Sequence, residues 1–146
     1  MINFKEVTKE NVGSILRLSV FDNQKDQVAS NAYSIAEGNY SDQAWFRGIF
    51  EEDKAVGFVM LSFDHKEKDY GVWRFMIDKE DQGKGYGRAS MELIKAVMKE
   101  EVPNITEIYL SYVPKEKGGA DEFYKKVGFE DTGKMSHGEK IMLFKY

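Results

Sequence analysis

Seven consecutive residues, Gln82-Gly83-Lys84-Gly85-Tyr86-Gly87-Arg88, concentrate the chemistry of this sequence. Glycines at alternate positions let a backbone approach a ligand closely and turn successive N–H groups toward it. A helix beginning in the same loop adds unpaired N–H groups and the positive end of its dipole. Lys84 and Arg88 add charge. Such a loop holds an anion, most naturally a phosphate or pyrophosphate. Two familiar nucleotide sites fail on spacing: G-x-G-x-x-G breaks because Arg88 stands three residues after Gly85, and no window supplies G-x-x-x-x-G-K-[ST]. The pattern present is Q-x-x-G-x-G.

The flanking segments must place this loop. Tyr70 to Ile77 is apolar on both faces and reads as a central strand; Tyr86 to Glu101 reads as the helix, with Met91, Ile94 and Met98 on one face and Pro103 just past its end. Upstream, residues 2–7 alternate as a first strand. Thr8 can cap a helix through Leu18, and a second helix runs from about Val28 to Glu37, where Gly38 and Asn39 break it. Ala44–Phe50 and Ala55–Phe63 form a hairpin around an acidic turn. Downstream follow a strand over Glu107–Val113, a short helix over Ala120–Val127, and closing strands over Phe129–Met135 and Lys140–Tyr146. The order β-α-α-β-β-β-α-β-α-β-β describes a mixed sheet with helices on its faces, an α/β or α+β fold.

A chain of 146 residues, 42% hydrophobic and 32% charged, fits one domain, 1–146, with a packed core. It has no cysteine, so disulfides, thiolate metal sites and thiol nucleophiles are excluded. His65 and His137, the two histidines, lack metal-ligand spacing and read as surface residues; no metal is expected. A net charge of -4 argues against nucleic acid. No apolar run approaches the ~18 residues of a membrane span, and the N-terminus shows no signal pattern, so a cytoplasmic protein is expected. The acidity is local: residues 22–53 hold Asp22, Asp26, Glu37, Asp42, Glu51, Glu52 and Asp53 against Lys25 and Arg47.

Ile77 through Arg88 resembles the acetyl-CoA pyrophosphate loop of GNAT N-acetyltransferases. A second segment, Ala120-Asp121-Glu122-Phe123-Tyr124-Lys125-Lys126-Val127-Gly128-Phe129, is similar to the family's A-x-x-x-Y-x-x-x-G-F region. The resemblance implies a twisted, mostly antiparallel sheet of about seven strands flanked by about four helices. It implies acetyl-CoA as co-substrate, held by Gln82, Gly83, Lys84, Gly85, Tyr86, Gly87 and Arg88, with backbone N–H groups of Phe75, Met76 and Ile77 along the pantetheine arm. Tyr124 becomes the general acid that protonates the departing thiolate. A phenol, with a pKa of roughly 10, holds its proton at neutral pH. The family often has an asparagine where Lys117 stands; a lysine there would reach a CoA phosphate instead.

Amide formation needs a neutral amine, and deprotonating an alkylammonium at pH 7 costs about 4 kcal/mol. Several family members use a glutamate at a position matching about Gly71, which carries no carboxylate. Asp69, Glu37, Asp42 or ordered water remain as proton acceptors. With no cysteine, direct transfer in a ternary complex is expected.

In this fold the segment after the first strand lines the acceptor side. Its carboxylates, with Glu37 and Asp42 as substrate-binding candidates, and the aromatic Tyr33, Tyr40, Trp45 and Phe46 would suit a cationic, methylene-rich amine. Val28-Ala29-Ser30-Asn31, Trp73 to Asp78 and Gly138-Glu139-Lys140 are similar to bacterial spermine/spermidine acetyltransferases, which implies a polyamine acceptor. The same fold acting on an antibiotic, an amino acid or a protein N-terminus is the nearest alternative; a non-catalytic acyl-CoA sensor and a nucleotide-binding regulatory module are others. A homodimer is expected by analogy with relatives.

Overall fold

A computed structural model describes residues 1–115 and 120–146. Seven strands form one sheet: β1 (Ile2–Lys5), β2 (Ala44–Glu51), β3 (Lys54–Asp64), β4 (Asp69–Ile77), β5 (Glu107–Tyr112), β6 (Glu130–Ser136) and β7 (Glu139–Lys145). The helices are α1 (Val12–Leu16), α2 (Asn31–Asn39), α3 (Tyr86–Glu101) and α4 (Asp121–Lys126). Strand order is β1-β2-β3-β4-β5-β7-β6, so β4 is the central strand, as its two apolar faces require. Every neighbouring pair is antiparallel except β4 and β5. Among the described residues no helix is long and apolar enough to cross a membrane.

Alternation along the strands divides the core between the two sheet faces. Val59 and Leu61 of β3 join Val72, Met91, Ile94, Met98 and Phe129 under α3 and α4. Phe58 and Met60 point the other way, toward Ile15 of α1 and the apolar side chains of α2. Met91, Ile94 and Met98 have no exposed surface, and each such burial contributes about 1.5–3 kcal/mol. That anchorage holds the N-terminus of α3 at the C-terminal end of β4, where chemistry is expected.

The first two helices differ from the sequence expectation in their ends. Thr8 N–H donates to Asn11 Oδ1 (2.8 Å) and Asn11 N–H to Thr8 Oγ1 (3.3 Å), which makes Thr8–Asn11 a closed turn and delays α1 to Val12. Asp78 takes the Ser19 N–H at 2.7 Å and draws the chain away from helical geometry. In α2 the cap is Ser30, whose Oγ accepts from Tyr33 N–H at 3.1 Å. Gly38 lies inside that helix rather than breaking it, because a Cβ there would stand 2.7 Å from the Phe46 ring.

Candidate active site

β4 and β5 pair only at Gly71↔Tyr109 and Val72↔Leu110 and then diverge. A bulge on the other side of β4 leaves Trp73 without a partner on β3, which sharpens the local twist. The divergence opens a cleft of about 1170 Å3 between the strands. Asp78 N–H donates to the Val56 carbonyl at 2.8 Å, so by alternation Met76 also turns its backbone toward β3. The backbone groups of Phe75 and Ile77 then face the cleft. Of the three residues expected along a pantetheine arm, two present N–H groups there; Met76 lines the cleft without doing so.

The glycine loop closes one end of this cleft. Gly83 (φ 79°) and Gly85 (φ 85°) are left-handed, and no atom lies within 4 Å of where either Cβ would be. Glycine is required there by backbone conformation, and the space in front of it is open to a ligand. Gly85 caps the N-terminus of α3, so dipole and free N–H groups point into that space. Gln82 Nε2 donates to the Ile77 carbonyl and to Gln24 Oε1, both at 3.0 Å, tying the loop to the end of β4 and to the segment after α1. Gln82, Gly83, Gly85, Gly87 and Arg88 line the cleft, whereas Lys84 and Tyr86 do not.

Lys84 is held elsewhere for a clear reason. Asp81, only 2% exposed, bonds both Lys54 (3.0 Å) and Lys84 (3.2 Å). Burial pushes the Asp81 carboxyl up, but hydrogen bonds from the two lysines outweigh it and hold the pKa below the ordinary 3.8. A depressed carboxylate pKa stabilises the fold above the unfolded value and loses that contribution as pH falls through the folded one. Asp81→Asn is therefore expected to lower stability by about 1–3 kcal/mol at neutral pH. In thermal melts the gap to the unmodified protein closes below the ordinary 3.8.

Tyr124 lies on α4, facing the cleft, with its ring packed among Tyr112, Phe123 and Phe129 at centroid distances of 5.4–6.3 Å. Its hydroxyl has no hydrogen-bond partner among the described residues. Burial pushes its pKa up to about 12, so the group keeps its proton throughout the neutral range. Phe123 also lines the cleft and stacks on Phe75 at 6.3 Å with 9° between planes, fixing α4 against β4.

The acidic segment divides. Glu51 and Glu52 bind the N-terminal amine and Asp53 binds Lys5, at the far edge of the sheet. Asp42 is exposed in the turn before β2, away from the cleft. Glu37 reaches the cleft wall only through Arg74, which it pairs at 3.0 Å. Asp26 lines the cleft, paired at 3.0 Å with Lys115, which also donates to the Asn23 carbonyl. Three of the four aromatic side chains expected beside these carboxylates are spent otherwise: Phe46 packs on Phe58, Trp45 carries Arg47 at 4.3 Å, and Tyr40 is 94% exposed, while Tyr33 lies near Arg74, 6.0 Å from ring centroid to guanidinium. The reason is topological, since β2 lies two strands away from the β4–β5 gap.

Lys117 lies outside the described residues. Asp69 stands at the opposite end of β4 from the glycine loop and does not line the cleft. Arg74, His137 and Glu139 also line the cleft, though the sequence reading assigns none of them a role in the site. The β6–β7 turn brings the last two into the cleft, a placement no local pattern encodes. A Cβ at Gly71 would lie 2.7 Å from the Tyr109 ring, so Tyr109 occupies the space that a family glutamate would need. A glycine within a strand is a signal for such close approach.

Comparison with known proteins agrees with this fold. The acetyltransferase (GNAT) family pattern matches residues 8–129. A spermine/spermidine N(1)-acetyltransferase of Bacillus subtilis (strain 168) is 32% identical over 97% of both chains. A probable spermine N(1)-acetyltransferase of Bacillus subtilis subsp. natto is similar to the same extent. An N-acetyltransferase from Thermoplasma acidophilum, solved in complex with coenzyme A, superimposes with a TM-score of 0.73 at 18% identity, covering 100% of this chain and 99% of that one. The chain belongs to the GNAT acetyltransferase family.

Proposed function

We propose that this protein is a single-domain enzyme that transfers acetyl from acetyl-CoA to a primary amine of a polyamine of the spermine/spermidine type, directly within a ternary complex. The observation that carries the reading is the meeting, in one cleft, of an open glycine cradle at a helix N-terminus and a proton-holding Tyr124 whose hydroxyl has no hydrogen-bond partner among the described residues. The two Bacillus relatives support the acceptor class.

Acetyl-CoA supplies the activated acetyl group. Gly83, Gly85 and Gly87 with Arg88 hold its pyrophosphate, and Gln82 keeps that loop in register with β4. The N–H groups of Phe75 and Ile77 hold the pantetheine arm and polarise the acetyl carbonyl. Tyr124 keeps a proton at Oη for the departing sulfur. Glu37 acts by holding Arg74 in place rather than by meeting the amine.

The test is release of free CoA from acetyl-CoA with spermine, spermidine, putrescine, an aminoglycoside, lysine and a peptide amine. Preferred turnover of spermine or spermidine is expected. Preference for another amine on the panel would overturn the acceptor assignment; tight acetyl-CoA binding without turnover of any would overturn the enzyme itself.

A further inference from the structure

Six charged residues line the cleft: Lys25, Asp26, Arg74, Asp81, Arg88 and Glu139. Four are already neutralised. Lys25 pairs with Asp22, Asp26 with Lys115, Arg74 with Glu37, and Asp81 with Lys54 and Lys84. Among the described residues only Arg88 and Glu139 lack an ion-pair partner, and they differ in sign and in place. Arg88 sits in the first turn of α3, at the anion end of the cleft.

Glu139 opens β7, with Ser136 as its register partner across the turn. The next pairs are Lys140↔Tyr112 and Ile141↔Ser111. Alternation therefore puts Glu139 on the face of Ile141 and Ser111, opposite the face on which Tyr112 meets Tyr124. α1 and α2 pack over the β2–β4 part of that face. No helix among the described residues packs on its β5–β7 part, so an acceptor can approach there and reach the gap from the side opposite Tyr124.

We infer that Glu139 is the acceptor-binding carboxylate: it holds an ammonium of the polyamine that is not the reacting nitrogen. The inference rests on the polyamine reading above. Among the described residues, this half-buried carboxylate without a protein cation is the one group in the cleft able to bind a second positive charge without first breaking an ion pair. The residues suggested by the acidic segment lack this property, since Glu37 would have to release Arg74 and Asp42 stands outside the cleft.

The experiment compares steady-state acetylation of spermidine with that of an unbranched alkyl monoamine of similar length, in the unmodified protein, Glu139→Gln and Glu139→Asp. Glu139→Gln should raise KM for spermidine by about 5- to 50-fold with kcat little changed. KM for the monoamine should stay the same, and Glu139→Asp should recover part of the spermidine affinity. The melting temperature should not move, since the side chain has no ion-pair or hydrogen-bond partner among the described residues. An unchanged spermidine KM would overturn the inference while leaving polyamine acetylation intact. An equal loss with both amines would also overturn it, placing Glu139 at the reacting nitrogen or in the fold. If the unmodified protein prefers the monoamine to spermidine, the polyamine reading falls and this inference falls with it.

Discussion

Tyr124→Phe is expected to lower kcat for acetyl transfer by about 100- to 10 000-fold while leaving acetyl-CoA affinity within about twofold. The variant removes one oxygen and keeps the ring, so the contacts with Tyr112, Phe123 and Phe129 survive and α4 stays on β4. What is lost is the hydroxyl proposed above as the proton donor. Because burial holds the Tyr124 pKa at about 12, the phenol stays protonated well above neutrality. The alkaline fall in activity that its ionisation would cause therefore lies beyond the ordinary assay range. Activity should instead rise with pH as the acceptor loses its own proton, about tenfold per unit until its pKa is approached. Isothermal titration with acetyl-CoA and a kcat profile between neutral and alkaline pH read the two parts separately. A Tyr124→Phe variant that turns over normally would assign the tyrosine to packing alone.

Much of this arrangement was legible in the sequence, and the boundary has a physical basis. The glycine loop, β4 before it and α3 after it are encoded locally: positive-φ positions, a strand apolar on both faces, and a helical stripe of Met91, Ile94 and Met98. Tyr124 is singled out through the motif around it, and it lines the cleft. Side-chain pairing was not legible, because it joins residues distant in sequence. Lys84 reads as a phosphate ligand until Asp81 is seen buried beneath it and drawing in Lys54 from the start of β3. The acidic run 22–53 reads as one surface until the topology sends its last three carboxylates to the sheet edge. Glu139 is noted only within the similar segment Gly138-Glu139-Lys140, with no role attached, since its place in the cleft follows from the register of β7 on β5 and from other residues being paired.

Gly71 is where the resemblance to relatives and the packing of this chain disagree most sharply, and substitution there should have the largest effect on stability. Gly71→Glu would install the missing carboxylate. Yet a Cβ at that position lies 2.7 Å from Cε1 and Cζ of Tyr109 and 2.8 Å from its backbone carbonyl. Gly71 and Tyr109 form one of the two register pairs that join β4 to β5, so the clash falls on the seam between the two halves of the sheet. Overpacking a core typically costs about 1–3 kcal/mol, and an unpaired buried carboxylate adds to that, so a loss of about 3 kcal/mol or more is expected in denaturant unfolding. Gly71→Ala should lose less, because it brings no charge. Removing the ring with Tyr109→Ala should rescue Gly71→Ala only in part, since the carbonyl contact belongs to the backbone and remains. Full rescue would mean that the ring alone excludes a side chain. No rescue would put the constraint in the strand seam itself, which would bar any side-chain base from that position.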